Sequence, residues 1–316
     1  MESGFKSEGE NEMQDTIKIE QGWRMWWQLT RPHTLTAAFA PVFLGTMLAL
    51  PFGRLDFPLF AAMLLASVLI QMATNMFNEY YDYKRGLDTE HSVGIGGTIV
   101  RNKVNPKTIL NLALFLYGIS VLLGVYICMQ TSWWLAAIGL VSMAIGYFYT
   151  GGPYPIAYTP LGELFSGVVM GMLLVLIAFY IQTGTVSERA VLLSIPSVLL
   201  VAAIMMANNI RDLEGDKLGG RKTLAILLGR ANAIRVQSGF FILAFAWIIG
   251  LVLFGGLTPW SLLVILCVKK PISAIRIFKN HEAPLQVMPA MKFTAQTNTF
   301  FCLLLAVGLL IGHLLH

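Results

Sequence analysis

Two acid-rich clusters sit at corresponding places in the two halves of the chain. The first gathers Asn75, Asn78, Glu79, Asp82, Lys84, Arg85 and Asp88; the second gathers Asn208, Asn209, Arg211, Asp212, Glu214, Asp216 and Lys217. Each closes a long hydrophobic run, and each is followed by a basic, glycine-bearing loop. Like charges at helical spacing repel by about 0.2–0.5 kcal/mol per pair. Acids collected at the end of an apolar helix therefore point to a bound cation, and the cation to a phosphorylated ligand. On a helix Asn75, Asn78 and Asp82 fall at i, i+3 and i+7, one face. Gly86 is expected to end that helix, leaving Asp88 to come from the loop. Asn208, Asp212 and Asp216 fall at i, i+4 and i+8, again one face. Two such faces across a cavity would present four carboxylates (Asp82, Asp88, Asp212, Asp216) and several amides. Mg2+ takes hard oxygen ligands, usually one or two carboxylates with water and substrate phosphate, so two Asp pairs suit roughly two or three ions shared with a diphosphate. The plainer alternative, interfacial helix ends with no ligand, suits one cluster better than two.

Basic residues frame the acids: Lys84, Arg85 and Arg101 after the first cluster, and Arg211, Lys217, Arg221 and Lys222 around the second. Arginine suits bidentate contacts to phosphate oxygens, and Arg101, Arg211 and Lys222 are the candidates chosen from this set. Gly94, Gly96 and Gly97 follow no strand, so they read as a loop over the site and not as a nucleotide-binding turn. The segment 147–163 carries no Lys or Arg but holds Tyr147, Tyr149, Tyr154 and Tyr158, three prolines and Glu163. Its aromatic rings suit a planar substrate or a carbocation, or simple anchoring at the interface. Glu163 opens an apolar run, where an acid is costly unless paired or functional; it reads as a general base or as a ligand to an aromatic hydroxyl.

The elements that position these groups are membrane helices. The chain is 56% hydrophobic and 12% charged over 316 residues, with mean hydropathy +0.67. A soluble domain carries about 25% charged residues, so a polytopic membrane protein is expected. Apolar runs cover 34–50, 57–77, 109–129, 133–150, 164–184, 190–210, 238–257, a weaker stretch from 259 interrupted by Lys269, Lys270 and Pro271, and 298–315. This predicts an all-α fold of about nine transmembrane helices around a central cavity, with parallel internal duplication relating the two acid clusters. Trp23, Trp26 and Trp27 predict a short interfacial helix. Residues 1–20 hold six acids and two lysines with no apolar core, so 1–22 reads as a disordered acidic tail and 23–316 as one intramembrane domain. Of 22 Lys and Arg, only Arg54 and Arg189 fall outside the N-terminal segment and the loops near 78–107, 211–235 and 269–292. The positive-inside rule makes that side, with both acid clusters, cytoplasmic. The three cysteines, Cys128, Cys267 and Cys302, lie in apolar runs and suggest neither disulfide nor metal spacing.

At these residues the chain resembles the UbiA superfamily of intramembrane prenyltransferases, over roughly 23–316. That family carries Asn-x3-Asp-x3-Asp and Asp-x3-Asp motifs. Asn78 and Asp82 match the first two positions of the first; the third would be Gly86, and the nearest acid is Asp88. Asp212 and Asp216 match the second motif. The longer pattern Asn-x-x-Asn-acid-Tyr-x-Asp-x5-Asp is similar to the branch that makes menaquinone precursors. So are Asn208-Asn209-Ile-Arg211-Asp212, the downstream Gly220-Arg221-Lys222-Thr223-Leu224 and Arg31-Pro32-His-Thr34-Leu35. Benzoate-type relatives carry a lysine in the loop after the fourth helix, which this chain lacks; that departure favours a naphthoate acceptor.

The resemblance implies an Mg2+-dependent transfer of a polyprenyl group from its diphosphate to 1,4-dihydroxy-2-naphthoate, with loss of diphosphate and CO2. The metal would sit on Asn78, Asp82, Asp88, Asp212 and Asp216, and Asn78, Lys84, Arg101, Arg211 and Lys222 would hold the diphosphate. Asp82, Asp212, Asp216 and Glu163 are the catalytic candidates. The partners would be the prenyl diphosphate, the naphthoate and membrane lipid, with no nucleic acid. Two alternatives remain open: another aromatic acceptor such as 4-hydroxybenzoate, and a cation-coupled transporter. Transporters place acids near the midplane, whereas the middles of these runs carry none.

Overall fold

The computed structural model describes residues 22–88 and 97–315. The expected acidic tail, all but Gly22, and Gly94 and Gly96 of the glycine loop lie outside the described residues. Among the described residues the structure is helical with no strand: α1 (Trp23–Leu29), α2 (Thr36–Leu48), α3 (Phe57–Lys84), α4 (Thr98–Asn102), α5 (Pro106–Gln130), α6 (Trp134–Phe148), α7 (Gly162–Thr183), α8 (Glu188–Arg211), α9 (Leu213–Leu218), α10 (Leu224–Leu228), α11 (Arg230–Leu253), α12 (Lys269–Asn280) and α13 (Pro284–Leu314).

Six of these, α3, α5, α7, α8, α11 and α13, are long and apolar enough to cross a bilayer, which makes this a multi-pass membrane protein. The nine expected crossings do not all appear as spanning helices. α2 with its following 3-10 turn, and α6, are shorter apolar helices. The eighth crossing is split into a 3-10 helix, Pro259–Cys267, and α12, which begins at the Lys269-Lys270-Pro271 interruption. Pro271 lacks an amide donor, and two ammonium groups oppose deep burial.

Helix starts follow local chemistry. Asp56 accepts from the Leu59 amide (2.9 Å) at the start of α3, Asn105 from Lys107 at α5 and Ser187 from Ala190 at α8, each satisfying an orphan amide of a first turn. α3 stops at Arg85, and Gly86 follows with φ +72°, a left-handed exit that glycine takes without strain. α1 forms as expected, with Trp23 and Trp27 exposed.

Lipid tails are as apolar as leucine, so helices in a membrane associate by close packing of small residues. Gly45 of α2 meets the α7 backbone: a Cβ there would lie 2.2 Å from the Val175 carbonyl oxygen. Gly45→Ala should therefore separate α2 from α7 at an overpacking cost of about 1–3 kcal/mol. The check is a lowered thermal transition in detergent; an unchanged transition would mean the interface yields freely. α7 also carries a π-helical stretch, Gly167–Leu173, pressed through Gly167 and Gly171 against the α8 backbone at Ser197 and Val198. A cavity of about 450 Å3 (space open to the centre of a water molecule) is walled by α2, α3, α5, α6, α7 and α8. α11 and α13 contribute no residue to its lining and pack on α8 and α2.

Candidate active site

The C-terminal ends of α3 and α8 bring the two acid clusters to one end of the cavity. Asn78, Asn208 and Arg31 line it there, while Met63, Ile127 and Trp133 line the far end. Asn78 and Met63 are both on α3, which sets the cavity's length at about 22 Å from the rise of 1.5 Å per residue.

The closest link between the clusters is Arg221. One guanidinium nitrogen donates to Asp82 Oδ1 (2.5 Å) and another to Asp216 Oδ1 (2.8 Å). Burial works against the arginine's charge, but Asp82 and Asp216 outweigh it and hold Arg221 more firmly protonated than usual. Burial pushes the Asp216 carboxyl up to about 6 against the pull of Arg221, and pushes Asp88 up to about 7 with help from Glu79 and Asp82. Asp212 is held differently: both its oxygens accept from Arg211 (2.6 and 2.5 Å), whose remaining nitrogen faces Met291 Sδ at 3.1 Å. The structure thus brings Asp82 and Asp216 together and ties Asp212 to its own neighbour. α8 ends at Arg211 and α9 starts at Leu213, so the helix bends at Asp212, while the i to i+4 backbone bonds expected among Asn208, Asp212 and Asp216 are both made. Among the described residues no three acidic, histidine or cysteine side chains converge as a ready metal cage.

The segment 147–163 joins the two clusters. Arg85 donates to the carbonyls of Thr150 and Gly152 and lies over the rings of Tyr81 (5.3 Å) and Tyr158 (5.6 Å). Arg221 lies over the same Tyr158 ring at 5.4 Å, and the Lys222 amide donates to the Tyr158 carbonyl. Tyr158 is therefore shared by two guanidinium groups, one from each cluster. Asn78 Oδ1 accepts from the Thr150 hydroxyl at 2.7 Å. The four tyrosines separate by role. Tyr147 pairs with Tyr81, Tyr149 lines the cavity with its hydroxyl on Met205 Sδ, Tyr158 bears the arginines, and Tyr154 is 91% exposed.

Glu163 is buried at the start of α7 and accepts from Asn209 Nδ2 at 2.8 Å; its other oxygen is buried without a hydrogen-bond partner. The Glu79 carboxylate accepts from the Gly97 and Ile99 amides at the start of α4. Lys84 and Lys222 have exposed side chains, and Arg101 packs on Gly97. Asn75 holds the α1–α2 connection by donating to the Thr30 carbonyl and the Thr34 hydroxyl. Between them Arg31 takes φ +52°, a conformation non-glycine residues rarely adopt and one that clusters at functional sites. Beside it His33 is kept neutral, lowered to about 3 by burial and by Arg211 and Arg31.

Arg85 and Arg221 are cations the sequence places beside the clusters without singling them out, and Arg31 is one it places only ahead of the first apolar run. Arg31 and Arg221 each carried a signal, in Arg31-Pro32-His-Thr34-Leu35 and Gly220-Arg221-Lys222-Thr223-Leu224.

A model of the UbiA prenyltransferase family matches residues 38–292. A 1,4-dihydroxy-2-naphthoate octaprenyltransferase of Bacillus subtilis is 60% identical over 287 residues, covering 91% of this chain and 92% of that protein. A protein of the same description from Haemophilus influenzae is 32% identical over 69% of this chain and 73% of its own length. Among solved structures, a UbiA homologue from Aeropyrum pernix in its apo form superposes with TM-score 0.66 at 19% identity, covering 89% of this chain and 98% of that one. A homologue from Archaeoglobus fulgidus bound to GPP and Mg2+ superposes with TM-score 0.60 at 16% identity, over 89% and 99%. At these identities the structures share the fold.

Proposed function

The chain belongs to the UbiA prenyltransferase family, and from that premise we propose the full reaction and its residues. The protein transfers a polyprenyl group from polyprenyl diphosphate to 1,4-dihydroxy-2-naphthoate, releasing diphosphate and CO2 and giving demethylmenaquinone, a step of menaquinone biosynthesis. The acceptor rests on the 60% identity across nearly the whole chain. The chemistry rests on one observation: Asp82 and Asp216, from separate helices, converge on a single cation at the end of a long apolar cavity.

That donor set fits Mg2+. The ion takes one or two carboxylates and leaves the rest of its shell to water and phosphate, and Asp82 and Asp216 supply two hard oxygens already drawn to a positive charge. When bound, the metal would neutralise the charge that grows on the diphosphate as the allylic C–O bond ionises. Asp82 and Asp216 are the primary ligands, with Asn78, Asp88 and Asp212 completing the set. Arg31, Arg211 and Arg221 supply donors to the diphosphate, with Arg101, Lys84 and Lys222 at its periphery. The apolar cavity takes the prenyl tail and excludes water from the cationic carbon. Tyr149 offers a ring face beside it. Glu163, through Asn209, positions the end of α8 next to Asn208. The active end faces the cytoplasm, as the basic loops beside it indicate, and residues 23–316 act as one domain in contact with membrane lipid.

The test is purified protein in detergent with a polyprenyl diphosphate and Mg2+, offered 1,4-dihydroxy-2-naphthoate or 4-hydroxybenzoate, with and without EDTA. Metal-dependent prenylation of the naphthoate alone supports the reading. A benzoate product overturns the acceptor, and no product from folded protein overturns the chemistry.

A pH dependence follows. Asp88 near 7 and Asp216 near 6 are neutral acids below those values, so protons compete with the metal there. The Mg2+ concentration for half-maximal rate should be constant at pH 8 and rise by about tenfold per pH unit below 6 for each proton displaced. A flat requirement from pH 8 to 5.5 would remove both aspartates from the metal site.

A further inference from the structure

We propose that Arg221 is the counter-ion that Asp82 and Asp216 share when no metal is bound, and that it exchanges from the carboxylates to the diphosphate when metal and prenyl diphosphate enter. This rests on the metal–diphosphate reading above. Asp82 and Asp216 come from α3 and α9, and one guanidinium spans them with a separate nitrogen to each. Two largely buried carboxylates sharing one partner need a cation between them, and a divalent metal would compete for the same two oxygens. Arg211 provides the contrast. It pairs with the adjacent Asp212 and is backed by Met288 and Met291, so its position does not depend on whether the two clusters meet.

Two further features favour exchange over a fixed pair. Arg221 Nε is buried with no hydrogen-bond partner, so the guanidinium keeps a donor that the two aspartates do not use and a phosphate oxygen would. Gly219 and Gly220 immediately precede it, and Gly220 has φ +76°, so a glycine turn carries the arginine. The Tyr158 ring beneath the guanidinium is a face along which the side chain can slide while Lys222 stays bonded to the Tyr158 carbonyl.

The test is binding, measured without acceptor so that no product forms. Metal-stripped protein is titrated with Mn2+ followed by electron paramagnetic resonance, first alone and then with farnesyl diphosphate. Wild type should bind Mn2+ weakly alone and tightly with farnesyl diphosphate. R221Q should bind Mn2+ alone at least tenfold more tightly than wild type, and farnesyl diphosphate at saturating Mn2+ at least tenfold more weakly. Opposite signs are the signature of exchange. Equal Mn2+ affinity in the two proteins without diphosphate overturns the proposal and leaves the metal site standing. Absence of Mn2+ binding in either protein, with or without farnesyl diphosphate, overturns the metal reading and the proposal with it. R221K guards against misfolding of R221Q: its ammonium keeps the charge and can donate to both carboxylates but lacks the planar fork that matches phosphate, so Mn2+ binding alone should stay near wild type while farnesyl diphosphate at saturating Mn2+ binds more weakly. R221K binding Mn2+ alone as tightly as R221Q overturns the proposal.

Discussion

Asp82→Asn should lower kcat/KM for prenyl transfer on the order of 10^3-fold or more, the scale of losing several kcal/mol of charge stabilisation in the transition state, while the protein still folds. The second half of that expectation comes from the geometry. Arg221 holds Asp82 and Asp216 together, so removing one carboxylate charge leaves the arginine paired with the other. An asparagine at 82 can still accept from the guanidinium through its amide oxygen, so no buried charge is stranded. The check is single-turnover prenylation beside a thermal melt of the same detergent sample. Activity within tenfold of wild type in well-folded Asp82→Asn would remove this residue from the metal site.

Asp212→Asn should fail in a different way, losing activity and stability together. The Arg211 side chain is 7% exposed and has both Asp212 oxygens as its partners, while Asp212 is 34% exposed. Breaking a fully buried pair costs about 3–5 kcal/mol because it strands a charge. The water reaching Asp212 reduces that here to about 1–3 kcal/mol. The measurement is the thermal transition in detergent, expected to fall for Asp212→Asn and to hold for Asp82→Asn. Equal melting of the two variants would show that Arg211 does not depend on its neighbour.

The first cluster was legible because it lies on one uninterrupted helix: the spacing of Asn75, Asn78 and Asp82 is a statement about α3, and α3 runs through all three. Gly86 was legible as a stop because left-handed geometry belongs to glycine. The second cluster was less legible because Asp212 sits at the junction of α8 and α9, where its carboxylate turns to the adjacent Arg211 and not to Asp216's partner. The cation bridging the two clusters was hard to read for a related reason. Once the chain leaves a helix, periodicity says nothing about direction, and Arg221 and Lys222 are adjacent residues of one turn, one inward and one exposed. The roles of Tyr147, Tyr149 and Tyr158 depend on contacts across more than 50 residues of chain, such as Tyr81 with Tyr147 and Tyr149 with Met205, which no local pattern encodes. Membrane character and fold class survived all of this because they rest on composition over whole helices.

The sharing of one ring by two arginines has a consequence for inheritance. Arg85, Tyr158 and Arg221 are separated by long stretches of chain and meet at one ring, while Arg85 keeps the Thr150 and Gly152 carbonyls and Arg221 keeps Asp82 and Asp216 as further partners. Mutations in contact of this kind do not simply add: a change at 158 alters what a later change at 85 or 221 costs. The three codons are therefore coupled in inheritance, and the effect of a variant at either arginine depends on which residue stands at 158.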